Sequence, residues 1–267
     1  MTTTTDAIGP SAAQVRAATR ATYVAFIGAG FAFASWASRI PQVRTRLDLD
    51  PAGLGLVLLA IAAGSVIALP LSGPVIARLG SRRTVTLMAG LLTVALVIVA
   101  VAPLIGVLPL VLGLFVMGFA NGAWDVGMNV QGAVVERHLD RPVMSRFHAG
   151  FSLGTVIGAL GGAAMVALGV PVTPHLLAVA VVVAVVVPPA VRGFVPDVED
   201  TPDGERPTEP GGVLARWREP RTLLIGLFVL AFAFAEGTAN DWISIALIDG
   251  YGASPAVGTL SFAVFLA

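Results

Sequence analysis

The sequence predicts an all-α integral membrane protein. Of its 267 residues, 56% are hydrophobic and only 12% are charged, which is about half the charged share of an ordinary soluble domain. Its mean hydropathy is +0.88, and its apolar residues fall in runs that are long enough to cross a bilayer. The arginines collect in alternate connecting segments, as they do in chains that cross a membrane several times.

Each span is predicted from an uncharged run of about 20 residues, the length that crosses a bilayer core of about 30 Å. Two runs are longer, and they break at the turns "APLIGVLP" and "LGVPVTPH", so each supplies two spans. A short eighth span starts near Ala256. The runs that give the first seven spans are 21–38, 51–77, 84–124, 147–191 and 222–240.

Composition divides the chain into four parts. Residues 1–20 are expected to form a disordered cytoplasmic leader, and residues 21–191 a bundle of six spans. A cytoplasmic linker follows at 192–220; its central stretch "PDVEDTPDGERPTEPGG" is rich in proline, glycine and acids and cannot bury a core. Residues 221–267 then hold the first two spans of a second, incomplete bundle.

A short internal repeat supports this division. The stretch "WASRIPQ…DPAGLGLVLLA" from Trp36 resembles "DWISIAL…SPAVGTLSFAV" from Asp241. Both place a tryptophan at the outer end of a span and start the next span at Pro-Ala, which favours a duplicated six-span unit. The eighth span has room for only about 18 Å of helix before Ala267, so the chain is expected to be a fragment.

The arginines also predict the orientation. With the N-terminus inside, thirteen arginines lie in cytoplasmic segments, and only Arg39, Arg44 and Arg46 lie outside. The positive-inside rule therefore predicts a multi-pass protein of the cell inner (plasma) membrane with a cytoplasmic N-terminus.

Several classes of protein are excluded by missing residue types. The chain has no cysteine, and hence no disulfide and no cysteine-based metal site. It has no lysine, so it can form neither a Walker-A phosphate loop nor a Schiff base. Its net charge is zero, and no basic patch suggests nucleic acid. No nucleophile and base can be grouped, so we expect neither an enzyme nor a cofactor or metal.

The segment between spans two and three carries a motif. Its sequence "GPVIARLGSRR", at 73–83, resembles the G-x-L-A-D-R-x-G-R-R signature of the major facilitator superfamily. In that family this loop is implicated in gating between helices. Ala77 stands where the signature has its aspartate. The matching positions, which the resemblance implies form a gating loop, are Gly73, Arg78, Gly80, Arg82 and Arg83.

The resemblance implies the fold of that superfamily, with a six-helix N-terminal bundle and the start of a C-terminal bundle. The stretch 128–154, together with "WASRIP" and "EGTANDW", resembles the subgroup that contains the membrane proteins YbjJ and MosC. That subgroup implies a secondary transporter for a sugar- or inositol-like solute. Leu114 and Ala159 replace the arginine and proline of two motifs of proton-coupled transporters and antiporters, which weakens a drug/proton antiporter reading.

A polar stripe interrupts span four. In "NGAWDVGMN", Asn121, Asp125 and Asn129 share one helical face, because they are four residues apart. Asp125 lies about 16 Å along the helix from Glu136 at the predicted cytoplasmic end, and hence near the bilayer midplane. The stripe is predicted to bind substrate or a proton; the alternative is a buried contact that holds two helices together.

Other polar residues extend this hypothesis. Glu236 and Asn240 share a face of span seven and are further candidates for substrate or proton binding. Arg39, a candidate too, either lies at the membrane interface or pairs with an acid of span seven. Trp124 is turned about 100° from Asp125 and is expected to face lipid.

Span five carries small residues at a period of four. Glycines at this spacing allow helices to approach closely, so a packing role is predicted for Gly150, Gly154, Gly158 and Gly162. His148, at the start of the same span, is expected to lie at the membrane interface.

The sequence thus predicts a monomeric secondary active transporter that moves a small polar solute by alternating access, with protons as a coupling ion in a symport. Its partners would be the small-molecule substrate and the lipid bilayer. A drug or metabolite efflux antiporter and a non-transporting membrane sensor of the same fold are the alternatives.

Overall fold

The computed structural model describes residues 9–197 and 219–267, which are almost entirely helical. Six helical stretches of the described residues are long and apolar enough to cross a membrane, so the predicted all-α membrane fold is confirmed. The helices are α1 (Ala12–Ala37), α2 (Ile40–Arg46), α3 (Pro51–Ile105), α4 (Val107–Leu139), α5 (Met144–Ala167), α6 (Val172–Ala190), α7 (Pro220–Ile245) and α8 (Pro255–Leu266).

The first helix begins earlier than the composition suggests. Ser11 caps α1 through its hydroxyl, which accepts from the Gln14 amide, while the Gln14 side chain accepts from the Ser11 amide at 2.8 Å. This capping box satisfies two amides that a helix start leaves unpaired. The prediction of a disordered leader is therefore wrong from Ala12 onward. Residues 1–8 and most of the linker lie outside the described residues.

Helix α3 is long enough for two spans, with 55 residues. The prediction placed a loop at 73–83, but helical structure continues through this segment and is broken at Gly80, where φ is 78° and ψ is 158°. Only glycine adopts such a backbone at little cost, because it has no Cβ. The two arms, 51–79 and 81–105, therefore correspond to spans two and three with no separate loop between them.

Short connections hold the neighbouring helices together. Gly106 alone separates α3 from α4, and it lies in the predicted turn "APLIGVLP". The Glu136 carboxylate near the end of α4 accepts from the backbone amides of Val143 and Met144, at 2.6 Å and 2.7 Å. These two bonds cap the start of α5 and fix it against the end of α4.

The first six helices form one bundle. Helix α3 packs along α4, α5 packs against α1, and α6 packs against α3 and α1; α8 lies against α5. The aromatic core includes Phe26 and Phe147, whose rings stack with centroids 5.7 Å apart. Valines and leucines on α3 and α6 are exposed at the periphery of the bundle, as expected for surfaces that face lipid.

Candidate functional site

The polar stripe of α4 lies on the part of the helix that the bundle leaves half open. Asp125 stands about midway along Val107–Leu139, and its side chain is half-buried. The Asn129 amide nitrogen donates to the Asp125 backbone carbonyl at 2.9 Å and to its carboxylate at 3.3 Å. Both bonds lie within one turn of the same helix, so they orient the carboxylate without joining it to another helix.

His148 of α5 is the charge neighbour of Asp125. Its imidazole is close enough to interact electrostatically with that carboxylate. On its other side the ring contacts Phe26 of α1 edge-on, with centroids 5.2 Å apart. The imidazole of α5 thus lies within electrostatic range of the α4 carboxylate and in contact with α1. His148 is exposed in the first turns of α5, and its position at the membrane interface stays a prediction.

The other residues of the stripe behave differently. Asn121 is half-buried, and no hydrogen bond of its side chain is found within residues 9–197 and 219–267. Trp124 was expected to face lipid, but it is 0% exposed. Its ring packs against Gly28 of α1, close to the space that a side chain on Gly28 would occupy. The ring lies 3.7 Å from that position, an ordinary van der Waals distance, and is buried between α4 and α1.

Arg39 does not pair with an acid of α7. It is 1% exposed at the junction of α1 and α2, and its guanidinium donates to the Val170 carbonyl at 2.6 Å. His175 of α6 lies within electrostatic range of this guanidinium. The ion pair to the second bundle is made instead by Arg44 and Asp249, beyond the end of α7. Arg39 is thus buried between α1, α2 and α6, and the proposed partnership with α7 is corrected.

The two candidates on α7 are not joined to the α4 group. Glu236 is exposed, whereas Asn240 is half-buried with its side-chain oxygen shielded from solvent. Within the described part of the chain, neither residue forms a hydrogen bond with Asp125 or Asn129. Their part in a solute site therefore stays a prediction.

The gating motif surrounds the Gly80 break. Arg78, Arg82 and Arg83 are all exposed there. The Ser81 backbone amide and hydroxyl both donate to the carboxylate of Asp197, beyond the end of α6. Asp197 thereby caps the second arm of α3. It brings a carboxylate next to the gating motif, in which Ala77 occupies the position of the signature's aspartate. Sequence reasoning missed Asp197, because the contact spans 116 residues.

The glycines of α5 lie against α1. A Cβ on Gly154 would collide with the backbone carbonyl of Ile27, and one on Gly158 would lie 2.6 Å from the carbonyl oxygen of Phe31. Gly150 faces the ring of Tyr23, and Gly162 faces the side chain of Ser38. All four therefore stand where α1 leaves no room for a larger side chain.

The fold defines a class, the multi-pass helical membrane proteins. Within that class, the chain belongs to the Major Facilitator Superfamily, whose family model matches residues 19–267. The predicted family is confirmed. The fold and the relatives of the chain are those of transporters and not of enzymes.

The relatives include bacterial proteins named as transporters. The chain is 33% identical to the uncharacterized transporter y4wD of Sinorhizobium fredii, covering 91% of this chain and 62% of that protein. It is 32% identical to an uncharacterized MFS-type transporter of Yersinia pestis, covering 91% and 61%. It is 28% identical to the membrane protein MosC of Rhizobium meliloti, covering 88% and 55%. The chain thus spans less than two thirds of each of these relatives.

A solved structure has the same fold. The crystal structure of the nucleoside transporter NupG aligns with a TM-score of 0.68 at 13% sequence identity, covering 92% of this chain and 62% of that one. At this identity the likeness concerns the fold alone.

Proposed function

We propose that the protein is a secondary active transporter that carries a small, hydroxylated solute together with protons by alternating access. The half-buried carboxylate of Asp125 midway along α4, hydrogen-bonded to Asn129 and with the exposed His148 as its electrostatic neighbour, is the observation that carries the proposal. Inserting a charged carboxylate near the bilayer midplane costs about 2.5–3.5 kcal/mol on insertion scales, so a carboxylate at this depth indicates a functional role. Transporters of this type place their solute and ion sites at that depth.

The geometry favours this reading over a structural brace. A brace would join Asp125 to a second helix by a hydrogen bond, whereas its side-chain bond in the described residues goes to Asn129 on the same helix. The carboxylate remains half-buried and can reach a solute or exchange a proton. His148 lies within electrostatic range of the carboxylate, on the neighbouring helix α5.

The polar residues of α4 also indicate the kind of solute. Two amides and a carboxylate at four-residue spacing offer donors and acceptors that match the hydroxyl groups of a sugar or a cyclitol. Nucleosides, which NupG is named for, contain a sugar ring and so belong to this class. Inositols, pentoses and nucleosides are therefore the first solutes to test.

The test is counterflow with the full-length protein in liposomes. We expect an excess of internal solute to draw labelled solute inward, saturably, for at least one of these three classes. An inward proton gradient should then drive accumulation above equal concentrations. Binding by thermal shift without counterflow would favour a membrane sensor, and export driven by the gradient would favour an antiporter; either result contradicts the proposal.

The orientation gives a separate prediction. Because thirteen arginines lie on one side, we expect a cysteine placed at Gly204 in the linker to resist a membrane-impermeant thiol reagent in intact cells. Leu168→Cys, in the exposed turn after α5, should be labelled under the same conditions. The chain has no cysteine of its own, so each variant reports a single site. Labelling at position 204 and protection at position 168 would invert the topology.

A further inference from the structure

A cavity of about 920 Å³ lies between the Gly80 break of α3 and the end of α6. It stands apart from the Asp125 group, at the end of the bundle that the arginines place in the cytoplasm. Four exposed arginines line it, one from the end of α6 and three from the two arms of α3: Arg192, Arg78, Arg82 and Arg83.

The charges in this cavity are unbalanced. Its carboxylate, Asp197, is already engaged by the amide and hydroxyl of Ser81. Within residues 9–197 and 219–267, no ion pair is formed by any of the four arginines. Four positive charges therefore face one committed negative charge, and guanidinium groups bind phosphate oxygens in a bidentate manner.

Part of the lining of the cavity is apolar. Leu79, Leu87, Pro188 and Phe194 line it together with the arginines. On both helices the apolar surface continues toward the bilayer interior, since Val94 and Val97 on α3 and Val181 and Val185 on α6 are exposed. A basic recess thus opens directly onto a surface that suits acyl chains.

We propose that this cavity is a binding site for the phosphate headgroup of an anionic phospholipid. The arginines hold the phosphate, the apolar wall contacts the glycerol and the first methylenes, and the acyl chains follow the exposed valines. Basic recesses between membrane helices on the cytoplasmic side recognise anionic lipids in this way. A free phosphate compound would use the same arginines but would gain nothing from the apolar wall.

The test is native mass spectrometry of the full-length protein in detergent, with phosphatidylglycerol and phosphatidylethanolamine as probes. We expect retained phosphatidylglycerol and little phosphatidylethanolamine. Replacing two arginines, as in Arg82→Gln with Arg83→Gln, should lower the affinity for phosphatidylglycerol about tenfold or more. Arg192→Gln should lower it by a smaller factor, and it removes a charge outside the gating motif.

The matched control is Arg141→Gln. Arg141 is exposed on the same predicted side, between α4 and α5, and does not line the cavity. It should leave the affinity for phosphatidylglycerol within about twofold of the parent, because a surface charge outside the recess adds little. An equal loss of affinity for phosphatidylglycerol in the control and in the cavity variants would overturn the proposal. Lipid binding would then depend on the total charge of the protein and not on the cavity.

Two measurements on the parent protein cover the event that the variants fold poorly. Raising the salt from about 0.1 M to about 1 M should release phosphatidylglycerol, since it shortens the Debye length about threefold, while phosphatidylethanolamine is unchanged. Inorganic pyrophosphate at the concentration of the lipid should displace it only weakly. Full displacement by pyrophosphate, or retention that ignores salt, would show that the site does not recognise an anionic lipid.

Discussion

Asp125→Asn is expected to abolish proton-driven accumulation in the full-length protein while leaving insertion and folding nearly intact. Asparagine keeps the shape of the side chain and an oxygen that can accept from Asn129, so the local hydrogen bond survives. It removes a charge that is costly at the bilayer midplane, so stability should not fall. Exchange of solute without a gradient should continue, because exchange need not release the proton.

The measurement is uptake with and without an imposed proton gradient, which should become equal in the variant. Asp140→Asn is the matched control, since it makes the same chemical change at the exposed end of α4, where asparagine tolerates the positive φ of 48°. It should accumulate solute like the parent. Undiminished accumulation by Asp125→Asn would refute the proton site, and a loss of folded protein would favour a structural aspartate.

Gly154→Ala is expected to destabilise the bundle, because the added methyl group would meet the backbone of α1. The new Cβ would meet the Ile27 carbonyl, and its two nearest carbon contacts there are 2.9 Å and 3.0 Å away. Backbone cannot rotate aside as a side chain can, so α1 and α5 must separate. Overpacking of this kind costs about 1–3 kcal/mol, and it should appear as a lower Tm and a smaller yield of monodisperse protein.

The control lies on the same helix. A Cβ on Gly161 would meet nothing within 4 Å, so Gly161→Ala should be neutral, or more stable by up to about 1 kcal/mol through helix propensity. Thermal unfolding of the two purified variants in one detergent compares them directly. If both unfold like the parent, α1 and α5 do not approach as closely as the glycine contacts require.

Local signals predicted most of the helix order. The turn between α3 and α4 follows from Pro103, Gly106 and Pro109, and the start of α8 from a Ser-Pro-Ala sequence that caps a helix. Local signals did not predict that the two arms of α3 meet at Gly80 without a separate loop between them. Its break is confined to Gly80, and the Asp197 carboxylate that caps the second arm lies 116 residues from Ser81.

The same division applies to the polar group. The four-residue spacing of Asp125 and Asn129 predicts a shared face, and a hydrogen bond joins them at 3.3 Å. No such spacing links His148 to Asp125, because their proximity depends on α5 packing against α1. The burial of Trp124 likewise depends on packing against another helix, where its ring lies beside Gly28 of α1. The positions of His148 and Trp124 are therefore determined by contacts between helices, which the periodicity of a single helix does not predict.

The bonds of Glu136 to Val143 and Met144 have a mechanical consequence. They make the α4–α5 connection a stiff joint, so Asp125 and His148 ride on one body and keep their separation while that body rocks. The electrostatic relation between the two groups then stays constant through a cycle. In the proposed transport cycle, the water and the opposing surface that the pair meets would change, and the proton affinity of Asp125 would change with them without rearrangement of the pair.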